Sequence, residues 1–260
     1  MVKKDDKKEG KSSKPREIIR IKNVAKYYGE GHSLVKAIDG INISVREGEF
    51  VAIMGPSGSG KTTSMNMVGN LDMPTKGKVL LENEDTRNFS ESELAQIRGR
   101  KIGFIFQQFN LIPNLSAIEN VMLPMIFQGV SEDERIERAE KLLIEIGLGH
   151  RMDHSPGQLS GGEQQRVAIA RSLANDPDVI LADEPTGNLD TKTGENVLDF
   201  LNKLNDNGKT IVMITHDEGL ALEHADVIFY IKDGKVRKVR KKVKGKWNNI
   251  HNHTKKHKRI

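Results

Sequence analysis

Apolar runs of four to six residues alternate along the chain with longer amphipathic stretches. That alternation predicts a mostly parallel sheet with crossover helices, an α/β fold. Buried strands are expected at 50–54, 103–106, 179–182, 210–215 and 227–231, with an antiparallel β flank near 18–24, 41–45 and 78–81. The strand signal disappears between about 108 and 175. There Ser131-Glu132-Asp133-Glu134 has the S-x-x-E form of a capping box. Behind it Ile136, Ala139, Leu142, Leu143 and Ile146 recur at helical spacing, and Gly147 supplies a stop. This section reads as a helical subdomain inserted into the sheet domain. From Lys235 onward the periodicity fades into basic sequence, which is expected to be unstructured.

Composition narrows the class. The 260 residues suit one large α/β domain, and 36% hydrophobic content is enough for a core without a staple. The absence of cysteine excludes a disulfide scaffold and fits a reducing compartment. The longest aliphatic runs, such as Val179-Ile180-Leu181-Ala182, fall far short of the ~20 apolar residues of a membrane span. No apolar stretch follows the lysine-rich N-terminus, so a signal peptide is not expected.

The formal charge of +5 conceals a division. Residues 1–16 carry +4 and residues 235–260 carry +12, which leaves −11 for residues 17–234. An acidic domain thus stands between two basic tails, open to anionic lipid or nucleic acid and otherwise read as solvated, disordered extensions. His251, His253 and His257 lie in the second tail and are read as incidental rather than metal-binding; Trp247 stands alone there.

Candidate chemistry begins at Gly55-Pro56-Ser57-Gly58-Ser59-Gly60-Lys61-Thr62, which fits G-x-x-x-x-G-K-[ST] between an expected strand and an expected helix, 62–69. Glycines let the backbone wrap a phosphate with its N–H groups inward, and the helix N-terminus adds positive potential. Lys61 is expected on the β- and γ-phosphates and the Thr62 hydroxyl on Mg2+. The apolar run 179–182 ends in Asp183 and Glu184. Ligands gather beyond the carboxyl ends of strands in such sheets, so the pair faces the phosphates if its strand neighbours the one before Gly55. Successive strand residues point opposite ways, which gives Asp183 to Mg2+, through water, and Glu184 to the attacking water. The alternative is a solvated strand-end pair. The run 210–215 delivers His216 to the same edge.

Leu159-Ser160-Gly161-Gly162-Glu163-Gln164-Gln165-Arg166 precedes Val167, Ala168, Ile169, Ala170 and Leu173, which read as a buried helix. This makes a second anion cradle at a helix N-terminus. One nucleotide does not need two cradles in one chain, so the second is expected to serve another subunit.

With this segment the sequence resembles the ABC transporter ATPase family, whose signature is LSGGQ; here Glu163 takes the last place and is assigned no phosphate contact. The resemblance covers about 17–234 and implies a P-loop NTPase sheet domain. It places Gly55, Pro56, Ser57, Gly58, Ser59, Gly60, Lys61, Thr62 and Thr63 in Walker A, and Asp183 and Glu184 in Walker B. It makes Gln107, rather than Gln108, the Q-loop glutamine that bridges Mg2+ and the membrane partner. Asn188-Leu189-Asp190 resembles the D-loop, His216 the switch histidine and Tyr28, ahead of Tyr27, the aromatic stacked on adenine. Two copies are then expected to sandwich two Mg-ATP molecules, with Ser160, Gly161, Gly162 and Asp190 acting in trans.

The stretches Phe109-Asn110-Leu111-Ile112-Pro113 and Asp183-Glu184-Pro185-Thr186-Gly187-Asn188-Leu189-Asp190 look most like the lipoprotein-releasing and macrolide-export ATPases. That likeness implies a cytoplasmic, peripheral subunit driving a permease with a large extracytoplasmic domain, and no nucleic acid partner. Val121-Met122-Leu123-Pro124-Met125 is read either as a docking site for a permease helix or as a face buried within the subdomain. The alternatives are a cell-division ATPase of the same branch and a soluble ABC ATPase without a permease.

Overall fold

The computed structural model describes residues 15–250; the histidines at 251, 253 and 257 and the tail to residue 14 lie outside the described residues. The chain opens with β1 (Glu17–Tyr28), β2 (Val35–Arg46) and β3 (Phe50–Met54), then α1 (Lys61–Val68), β4 (Lys76–Leu81) and β5 (Glu84–Asp85). Next come α2 (Glu91–Lys101) and β6 (Ile102–Ile105), followed by the helices α3 (Ala117–Phe127), α4 (Glu132–Glu145) and α5 (Gly161–Leu173). The remainder is β7 (Val179–Asp183), α6 (Thr191–Asp206), β8 (Thr210–Thr215), α7 (Glu218–His224), β9 (Val227–Lys232), β10 (Lys235–Val243) and β11 (Lys246–Ile250).

Two sheets result. A seven-stranded sheet runs β11-β10-β9-β3-β8-β7-β6, and a four-stranded antiparallel sheet runs β2-β1-β4-β5. The five strands from β9 to β6 are mutually parallel. Every residue of β3 and β8 is buried because both faces of the sheet are covered. The strand period of two divides them: Val51 and Ile53 join α1 and the four-stranded sheet, whereas Phe50, Ala52 and Met54 face α5, α6 and α7. A third core of Val121, Met125, Ala139, Leu143 and Val167 holds α3, α4 and α5 together.

Four expectations need correction. β7 does not neighbour β3, because β8 stands between them; Asp183 and Glu184 still lie at the sheet edge that carries the 55–60 loop, since all three strands are parallel. The stretch from Lys235 is not unstructured up to Ile250: β10 pairs with β9, β11 pairs with β10, and Val239 is buried. A bulge between Val236 and Lys238 breaks the period of two, which conceals the strand in the sequence. Trp247 is accordingly not alone; it packs against the core beside the Arg240 guanidinium, 5.4 Å from the ring centre. Finally, Ser131 precedes α4 without capping its backbone, and its hydroxyl donates to Glu134 instead.

The Val121–Met125 stretch divides between its two readings. Val121 and Met125 are buried inside the helical subdomain, and Leu123 and Pro124 line a cleft toward α2.

Candidate functional site

The 55–60 loop joins β3 to α1. Gly60 has φ +100°, and a Cβ there would stand 2.5 Å from the Ala37 carbonyl oxygen, so only glycine closes this turn. The Gly234 N–H donates to the Ser59 carbonyl at 3.0 Å, pinning the loop to the turn between β9 and β10. Lys61 is buried, and its Nζ donates to the Pro56 carbonyl at 3.1 Å. No carboxylate lies within ion-pair distance of Lys61 among the described residues. A buried ammonium with no carboxylate in contact, at the start of a helix, is suited to an anion. The buried Ser59 Oγ likewise has no hydrogen-bond partner among the described residues. Pro56, Ser57, Gly58 and Thr62 are exposed, and Thr63 is half-buried.

At the end of β7 the Asp183 carboxyl is pushed above its usual range, first by burial and then by the neighbouring Glu184 charge, against the pull of Lys61. Glu184 sits at φ +43°; its N–H donates to Ile214 and its carbonyl accepts from Gly187, each at 3.0 Å. His216 Nδ1 lies 3.2 Å from Glu184 Oε1. β8, interposed between β3 and β7, is what brings the histidine to that carboxylate. The Gln107 carbonyl accepts from Asn188 Nδ2 at 2.8 Å, and its side-chain amide stands against Gly187. Gln108 lies in a separate shallow cleft with Phe109 and Gln164.

Tyr28 is exposed beside α1; its hydroxyl donates to Asp72 at 2.9 Å, and Lys26 Nζ lies 5.1 Å from the ring centre. Burial and the Asp72 contact raise its phenol above the usual range. Tyr27 instead donates to Asp39 at 2.7 Å.

Ser160 caps α5 in a complete capping box. Glu163 accepts from the Ser160 N–H and hydroxyl, both at 2.8 Å, and Arg151 Nε stands 3.4 Å from its other oxygen. These contacts hold the Glu163 carboxyl below its usual range, led by the Ser160 N–H. The glutamate in the last signature place thus serves its own helix. Asp190 caps α6, accepting from the Thr193 N–H at 3.0 Å and hydroxyl at 2.6 Å. The hydrogen bonds of Ser160 and Asp190 stay at their own helix starts and do not reach the 55–63 segment.

Two residues not singled out in the sequence also bear on the site. Arg171 donates to the carbonyls of Phe109 and Asn110, and Gln165 donates to that of Pro185. The available signal was a polar side chain at a buried position of a helix, visible only once the face is known.

A family model described as ABC transporter matches residues 38–187, more than half of the chain. The chain belongs to the ABC transporter family. It is 52% identical over 227 residues to an uncharacterised ABC transporter ATP-binding protein of Thermotoga maritima, covering 87% of this chain and 97% of that protein. It is 48% identical over 219 residues to the macrolide export ATP-binding/permease protein MacB of Aggregatibacter actinomycetemcomitans, covering 84% of this chain and 34% of that protein. Among solved structures it is similar to the dimeric post-hydrolysis state of the ATP-binding cassette MJ0796 bound to ADP and Pi. There the TM-score is 0.79 at 50% identity, over 86% of this chain and 98% of that one. This ABC chain is an ATPase, and the ADP and Pi in that neighbour are the products of the family's reaction.

Proposed function

We propose that two copies of this chain sandwich two Mg-ATP molecules and that closing and opening of the pair drives a separate membrane permease. The observation that carries this reading is the division of the site. The cationic loop and the acidic pair are drawn together on one part of the chain, while the hydrogen bonds of Ser160 stay at the start of α5, apart from that loop. A dimeric relative with ADP and Pi supports the pairing.

In this reading Gly55 to Thr63 wrap the phosphates, Lys61 neutralises the β- and γ-groups, and Tyr28 offers its exposed ring to adenine. Glu184 orients the attacking water, and His216 holds both that carboxylate and the γ-phosphate. Ser160, Gly161, Gly162 and Asp190 complete the partner's site. Thr62, Gln107 and Asp183, the last through water, fit Mg2+: all offer oxygen donors, and the raised Asp183 carboxyl is a charge in want of a cation. When bound, Mg2+ supplies neutralisation of phosphate charge.

A cleft of ≈ 570 Å³ supports permease docking. Phe104, Phe106, Leu123 and Phe127 line it together with Arg98 and Arg171, and no acidic residue does. It suits a helix with an apolar face. The likeness to MacB-type proteins favours the lipoprotein-release and macrolide-export mode of force transmission, with the chain on the cytoplasmic face of the membrane. No described helix is long and apolar enough to cross a membrane.

The test is gel filtration of Glu184→Gln, which retains nucleotide while hydrolysis stalls. A dimer at saturating sodium ATP is expected; a monomer there overturns the sandwich.

A further inference from the structure

Gln165 lies on α5, three residues beyond Gly162, and is completely buried. A helix ordinarily gives such a position to an apolar side chain. Its Nε2 donates to the Pro185 carbonyl at 2.8 Å. A carbonyl only accepts, so the end facing Pro185 is the NH2 group. The other end, Oε1, is buried without a partner among the described residues. A buried orphan acceptor costs stability, which leaves the Pro185 contact as the reason for an amide here.

Pro185 follows Glu184, whose backbone is held at φ +43°. A non-glycine residue stays in that region only where its surroundings over-determine it. Ile214 takes the Glu184 N–H and Gly187 takes its carbonyl. Proline has no N–H, so its carbonyl is the remaining backbone handle beside Glu184, and Gln165 holds it.

We propose that Gln165 is a positioning residue: by clamping Pro185 it fixes the Glu184 carboxylate in the hydrolytic geometry. The clamp ties α5, whose start carries Ser160 toward the partner's nucleotide, to the chain's own catalytic carboxylate. Engagement of one nucleotide is thereby communicated to the other. The inference rests on the reading of Glu184 as the group that activates water.

Gln165→Leu fills the same volume and removes the orphan oxygen, but it leaves the buried Pro185 carbonyl without its donor, so a modest loss of stability accompanies the kinetic effect. The expected result, on the full chain and well below its Tm, is a fall in kcat of at least tenfold with KM for ATP unchanged. An unchanged kcat well below the Tm, or a loss carried by weakened ATP binding, overturns the clamp. Gln165→Glu gives a second readout. Burial raises the pKa of the introduced carboxyl, and its protonated form offers an O–H to Pro185. Its kcat relative to the parent is therefore expected to climb as pH falls, and a flat ratio across pH overturns the proposal. Glu184→Gln is measured alongside. If that variant turns over normally, both readings fall; if it is slow while Gln165→Leu is normal, the clamp alone falls.

Discussion

The Thr193 methyl occupies the space that a Cβ on Gly162 would need: the two would stand 2.5 Å apart. Thr193 cannot simply turn away, because its hydroxyl is bound to Asp190 at 2.6 Å. The start of α5 is thereby locked against the start of α6. Gly162→Ala is expected to break the Asp190 cap and lower stability by about 1 kcal/mol, read as a lower Tm. Thr193→Ser keeps the hydroxyl and deletes the obstructing methyl, so adding it should restore Tm. The double-mutant cycle measures the coupling, and additive effects would refute the contact.

Asp183 gives a pH prediction. Its folded pKa lies above the ordinary 3.8, so the folded protein binds the proton more tightly than the unfolded chain does. Stability therefore declines as pH rises from 3.8 through the raised value, and the penalty is complete above it. Asp183→Asn removes the buried charge. Calorimetry without nucleotide should show a higher Tm than the parent at pH 7, with the gap narrowing toward pH 4. A lower Tm at pH 7 contradicts the assignment, and ATPase activity should be lost in either case.

Lys61→Ala removes the cation around which the loop is wrapped. Charge-assisted contacts to phosphate contribute roughly 1.5–3 kcal/mol each, so ATP affinity should fall at least tenfold. Isothermal titration measures it directly. Normal affinity would deny Lys61 its role.

The last two strands are part of the domain. Deleting everything after Gly234 removes β10, exposes the β9 edge and leaves the Val239 site empty. The shortened chain should melt at a lower temperature than the parent and lose ATPase activity with its fold. A finer probe is Val239→Ala, which should cost about 2 kcal/mol in urea unfolding.

The legible part of the molecule is the part written in local pattern. The runs 50–54 and 210–215 emerge as β3 and β8 because a strand buried on both faces is apolar throughout. The 55–62 loop was legible because its spacing is itself the structure. Spatial order was not: nothing in residues 179–183 states that β8 will lie between them and β3. Charged strands were also hidden, since Lys235, Lys238 and Lys242 of β10 are exposed and a bulge shifts the strand's phase. Capping fell between the two. Ser131 has the S-x-x-E spacing but no cap, whereas Ser90, Ser116 and Ser160 each close the full reciprocal box. Glu163 could be placed only once its oxygen was seen on the Ser160 N–H.

Among the described residues β11 ends the large sheet with a row of backbone donors and acceptors, and such rows invite a second sheet to zip on. The hairpin that forms this border carries Lys242, Lys244 and Lys246. Like charges brought face to face repel, so two such borders resist irreversible stacking. The sandwich proposed above meets its twin instead across a surface whose attraction a small anion would switch, and such a pairing can come apart after each turnover.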